Sequence, residues 1–139
     1  MSDNFCIFCE IANGRIPSAT VYEDDNFRAI LDIAPAHKGH VLLLPKQHFE
    51  NLLCADEDIL AKALPIAKRI AVALKAVTNC DGVNVLQNNG TAAGQSVFHL
   101  HIHIIPRFEG DGILPVWEQG SYADGEAAEW ASRIAAALD

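Results

Sequence analysis

Along this chain the hydrophobic positions change their period several times, and each change marks an element. "TVYEDD" (20–25) and "FRAILDI" (27–33) are runs rich in β-branched and aromatic residues around a polar Asp24-Asp25-Asn26 turn, which predicts two strands. "HVLLLPK" (40–46) is apolar enough for a strand buried on both faces. From Asp56 to Thr78 the period lengthens, and Leu60, Leu64, Ala67, Ala71 and Leu74 recur at spacings of three and four. That stripe predicts one long helix facing the core. Pro65 lies inside it; a mid-helix proline loses a backbone bond and costs ~3 kcal/mol, so a kink in one helix is expected. "CDGVNVLQN" reads as a turn and a strand, "NGTAAGQS" as a glycine-containing loop, and "VFHLHIHIIPR" (97–107) as a fifth strand. A short helix over "CIFCEIANGRIPS" ends at Gly14, and a terminal helix from Asp124 to Leu138 puts Ala127, Trp130, Ile134 and Leu138 on one face. Five strands with no βαβ alternation predict an α+β fold: a five-stranded, mainly antiparallel sheet, one long helix and a C-terminal helix. Residues 1–139 read as a single domain.

Composition narrows the function classes. Half of the 139 residues are hydrophobic, enough for a core without disulfide support. Ten Lys and Arg against eighteen Asp and Glu give a net charge of −8, which argues against binding a nucleic-acid backbone. A small anion is still compatible, because backbone N–H groups and single histidines hold phosphate without net positive charge. "MSDNFCIFCE" has no basic region before a long apolar run, and no stretch approaches the ~20 apolar residues that span a bilayer. The expectation is a cytoplasmic chain with no membrane partner, whose four cysteines are thiols or metal ligands.

Three of the six histidines, His99, His101 and His103, fall at alternate positions of the fifth strand. At ~3.3 Å rise per residue they share one face, ~6.6 Å apart, while Leu100, Ile102 and Ile104 point to the core. A merely solvated face would be met by Thr, Lys or Glu. Two chemistries fit three imidazoles: a metal centre, or nucleophilic catalysis in which one neutral ring attacks and its neighbours orient it. The preceding loop ends in Gly94, Gln95 and Ser96, where N–H groups, an amide and a hydroxyl suit phosphate oxygens. At the other end of the chain, Cys6 and Cys9 form C-x-x-C, which is half of a tetrahedral zinc site, a redox pair or two buried cysteines.

"QSVFHLHIHII" resembles the histidine triad (HIT) motif, three histidines alternating with apolar residues, and "LDIAPAHKGHVLLLPKQH" and the C-x-x-C start resemble the bacterial, Hint-like branch of that family. The resemblance runs from about Phe5 to Arg107. It implies a nucleotidyl hydrolase or transferase in which His101 attacks the α-phosphorus, forming a covalent nucleotidyl-histidine that water hydrolyses. A neutral imidazole is needed, and the ordinary pKa of ~6.5 leaves much of it neutral near pH 7. By the same resemblance His103 and His40 donate to phosphate oxygens, with Gln95 and Ser96 on the phosphate and Asn88 and Gly94 nearby. Asp32 accepts from the ribose hydroxyls, and Phe27, Ile30, Ile33 and Phe8 enclose the base. Cys6, Cys9, His48 and His99 form a closed, structural zinc site. The implied substrates are purine nucleoside phosphoramidates or related mononucleotide conjugates, handled by a homodimer. A dinucleoside polyphosphate hydrolase and a nucleotide-binding regulatory module with incidental hydrolysis are the alternatives.

Overall fold

The computed structural model describes residues 5–113 and 117–138. Helix α1 (Ile7–Ala12) is followed by β1 (Thr20–Glu23), β2 (Phe27–Leu31) and β3 (Val41–Pro45). Helix α2 (Glu57–Thr78), β4 (Gly82–Leu86), β5 (Ile102–Arg107) and α3 (Glu126–Ala137) complete the order. The five strands form one sheet in the order β1-β2-β3-β5-β4, every pair antiparallel. The architecture is the expected α+β.

Alternation along the strands divides two apolar layers. On β2 and β3, Phe27, Ala29, Val41 and Leu43 face α2 and pack with Ala63, Ile66, Ala67, Ile70 and Leu74. Ile30, Leu42 and Leu44 face the other way, against α1 through Ala12, Phe8 and Ile11. All five residues of β3 are buried, as its apolar run requires.

Two expectations change. The buried stripe of α2 is Ala63, Ile66, Ala67, Ile70 and Leu74, and Leu64 is 65% exposed. Both stripes recur at three and four, so periodicity sets the helix while the sheet selects the face. Pro65 lies inside one continuous helix. The fifth strand begins at Ile102, so His99 and His101 precede the ladder. Its pairing with β3 stops at Leu43↔Ile102. Further along, Pro45 has no N–H to give, and its carbonyl is taken by the His99 ring, Nε2 to O 2.8 Å.

Candidate active site

On the α1 side of the sheet, α1, β2, the loop after it and the stretch before β5 enclose a pocket of about 500 Å³. Ile7, Phe8, Ile11, Ile30, Ile33 and Leu42 make its apolar walls, and Asp32, Ser96, His101 and His103 supply polar groups.

The hydrogen bonds assign each ring's tautomer. Ala36 N–H donates to His40 Nδ1 at 3.0 Å, so the His40 proton sits on Nε2. Nε2–H then donates to His103 Nδ1 at 2.9 Å, which leaves His103 with a proton on Nε2. His101 Nδ1–H donates to the His99 carbonyl at 2.7 Å, which in the neutral ring puts the lone pair on Nε2. Burial holds His40 below its ordinary pKa despite Asp32 at 3.8 Å. Burial, then the neighbouring His101 and His40, pushes His103 down to about 4. Both rings are therefore neutral near pH 7. The pocket offers a ring nitrogen able to attack and, about 5 Å away centre to centre, a neutral ring able to donate.

Several residues singled out by sequence stand elsewhere. Phe27 is 1% exposed in the core under α2, opposite the pocket, because it and Ile30 are an odd number of positions apart on one strand. The Gln95 amide is buried and committed to the chain: Nε2 donates to the carbonyls of Glu50 (2.7 Å) and Val97 (3.1 Å), and Oε1 accepts from Gly90 N (2.8 Å). It braces the loop rather than facing a ligand. The N–H groups of Gly94 and Gln95 are also spent, on the Thr91 and Gly90 carbonyls. Those of Ser96 and Val97 have no acceptor among the described residues, and both residues line the pocket, so the available donors lie just past the glycine. Gly94 has φ +98° and lies against Asn88, whose amide is 3.3 Å from where a Cβ would sit; neither lines the pocket. His40 spends both nitrogens on Ala36 and His103, so it orients His103 instead of donating directly. Asp32 lines the pocket, one oxygen held by Ala34 N–H at 2.9 Å.

A second cluster lies beside the first. Cys6 caps α1 and Cys9 lies one turn on; their sulfurs and Nδ1 of His48 and His99 all fall within 4.8 Å of one another. Cys6 Sγ to His99 Nδ1 is 3.4 Å, Cys9 Sγ is 3.3 Å from His48 Nδ1 and 3.4 Å from His99 Nδ1, and the two Nδ1 atoms are 3.2 Å apart. Zinc bonds of ~2.0 Å to nitrogen and ~2.3 Å to sulfur give tetrahedral edges of ~3.3–3.8 Å, so the donors fit that ion. The proton on His99 Nε2, bonded to Pro45 O, turns the Nδ1 lone pair toward the sulfurs. Burial and the adjacent Cys6 push the Cys9 thiol up to about 11, a balance that a bound cation reverses. Asp32, His40 and His103 also converge, yet the Ala36 N–H on His40 Nδ1 obliges Nε2 to carry a proton. The two rings form a hydrogen-bond relay that leaves neither a free lone pair for a metal, and Asp32 stands 3.8 Å from His40 outside it.

Comparison with known proteins shows the family and the fold. Residues 13–110 match the HIT domain model. The chain is 45% identical over 116 residues to the adenosine 5'-monophosphoramidase of Saccharomyces cerevisiae, covering 83% of this chain and 71% of that protein. It is 41% identical to a HIT family protein of Bacillus anthracis whose crystal structure superposes with TM-score 0.91 over the whole of both chains. A zinc-bound histidine triad family protein from Mycobacterium smegmatis gives TM-score 0.74 at 35% identity, covering 94% of this chain and 96% of that one.

Proposed function

This chain belongs to the HIT domain family, and we propose that it cleaves the α-phosphorus bond of purine nucleoside phosphoramidates or related mononucleotide conjugates. The observation that carries the reading is the bond from His101 Nδ1–H to the His99 carbonyl, which fixes the tautomer whose lone pair is on Nε2, on a ring that lines the pocket. In the first step the Nε2 lone pair bonds to phosphorus. The phosphorus bond to the leaving amine breaks, its electron pair leaves with the amine, and the amine takes a proton. The ring becomes cationic, and its Nδ1–H bond to the carbonyl strengthens with the charge. Water then attacks phosphorus, the bond to Nε2 breaks and the nucleoside monophosphate is released with one proton. His103 Nε2–H and the N–H groups of Ser96 and Val97 stabilise the phosphate oxygens, the Ser96 hydroxyl serves the bridging atom, Asp32 accepts from the ribose, and the apolar walls hold the base.

The proposal includes a structural zinc ion held by Cys6, Cys9, His48 and His99. Donor spacing and the zinc-bound relative support it. When bound, zinc would tie α1, the end of β3 and the stretch before β5 together, with no position left for a reacting water. A homodimer in the cytoplasm completes the reading; β4 is an edge strand whose Val85 is 44% exposed beside Leu64.

Incubation with adenosine 5'-phosphoramidate tests it. The wild type releases AMP, and His101→Ala lowers the rate by on the order of 10³-fold or more. An unchanged rate in that variant overturns the nucleophile. Faster cleavage of a dinucleoside polyphosphate would make the chain a hydrolase of that class, and binding without turnover of either would make it a regulatory module. Elemental analysis should find one zinc per chain in the wild type and none in Cys9→Ser.

A further inference from the structure

Helix α1 is held to the rest of the chain by different means at its two ends. Its C-terminal end has ordinary hydrogen bonds: Arg28 Nε donates to the Ala12 carbonyl at 3.1 Å, and Asn13 Nδ2 to the Lys46 carbonyl at 3.1 Å. Among the described residues, its first turn makes polar contact with other elements only through the Cys6 and Cys9 sulfurs, which meet His48 and His99. A helix of six residues does not hold its shape alone in water. The same two sulfurs lie within 4.8 Å of one another, and Cys9 N–H donates to Cys6 Sγ at 3.3 Å. Positions three apart on a helical turn have Cα atoms ~5 Å apart, inside the ~4.4–6.8 Å that a disulfide bridges. Solvent reaches them: Phe5, Cys6, Cys9 and the exposed His48 line a cavity of about 760 Å³. Ser96 and Val97 line both this cavity and the pocket that holds His101.

We propose that Cys6 and Cys9 are a site of reversible oxidation through which peroxide controls nucleotide binding. The proposal rests on the zinc site and the nucleotide pocket read above. One hydrogen peroxide takes two electrons from the two metal-bound thiolates. A Cys6–Cys9 S–S bond forms, the O–O bond breaks, and two protons from solvent complete two waters. A disulfide sulfur carries no charge with which to ligate a metal. Cys6 and Cys9 therefore give up the ion to solvent and leave His48 and His99 as neutral rings. The first turn of α1 loses its tie to the end of β3 and to His99. Ile7 and Phe8 leave the pocket wall with that turn, and the Phe8 edge contact to His101 at 5.1 Å is lost. A dithiol reverses the change by thiol–disulfide exchange, which restores both thiols for the metal.

Peroxide titration of the full-length chain tests it, with the exposed Cys54 removed as Cys54→Ser and the zinc content measured first. Free thiols, zinc release to a chelating dye, peptide mass and AMP affinity by calorimetry are followed together. One zinc should leave for every two thiols lost, and the peptide holding Cys6 and Cys9 should lose two hydrogens. The AMP Kd should rise at least about tenfold, as the binding-competent pocket is depopulated. Dithiothreitol with added zinc should restore all four readings. A zinc-loaded chain that keeps its metal in excess peroxide overturns the oxidation site and leaves the zinc site standing. Zinc release with unchanged AMP affinity overturns the coupling to the pocket, and oxidation to sulfinic acid that dithiothreitol does not recover overturns reversibility. A chain purified without chelator that holds no zinc overturns the zinc site itself, and one that binds no AMP before peroxide is added overturns the nucleotide pocket.

Discussion

His99, His101 and His103 sit two residues apart and meet three different surroundings. His99 is fully buried with its Nδ1 among thiols, His101 borrows the carbonyl of His99, and His103 is held by His40. Each role is set by which ring nitrogen keeps its proton. His40→Ala removes the donor to His103 Nδ1, so kcat should fall about 10- to 100-fold with a smaller change in KM. His40→Gln, whose amide can donate at the same place, should recover part of the loss; steady-state kinetics on the two variants checks this. Gln95 makes the opposite prediction. Its amide bonds stay within the protein, so Gln95→Ala should cost about 1–3 kcal/mol in urea unfolding.

At the scale of elements, the position of α2 follows from which of its two possible stripes meets the sheet. Ile66 is buried and Leu64 is not. Ile66→Ala should therefore destabilise by about 2–5 kcal/mol, and Leu64→Ala by less than about 1 kcal/mol in dilute protein, read from denaturant midpoints. Equal losses would restore the stripe that the spacing suggests. Helix α1 carries both thiols and three wall residues of the pocket, Ile7, Phe8 and Ile11. Its ring at Phe8 meets His101 edge to face at 5.1 Å, so the Cys–His cluster and the His101 ring are both tied to one short helix.

For the whole molecule, the buried neutral histidines impose a pH dependence. His103 has a folded pKa of about 4 and His40 is also lowered, against ~6.5 in the unfolded chain. The folded state then binds fewer protons, so their effect on stability is absent above about pH 6.5 and destabilises progressively as pH falls toward 4. Thermal unfolding from pH 7 to pH 4.5 should show Tm falling, and His103→Asn should flatten that fall. An unchanged slope in the variant would remove His103 from the cause.

The sequence by itself determined the five strands, the long helix, the antiparallel class and the two clusters of chemistry. Each of these rests on local information: period, turn residues, and the types and spacing of His and Cys. It could equally have separated Phe27 from Ile30, since their odd separation places them on opposite faces of a strand. Only the tertiary structure decided the rest. The early end of the β3–β5 ladder at Leu43, the His99 ring on the Pro45 carbonyl, the internal bonds of Gln95, the shift of available N–H donors to Ser96 and Val97, and the hand-on from His40 to His103 all depend on where the folded chain brings its groups. A hydrogen bond depends on where its partner arrives in space, and a side chain's type does not contain that position.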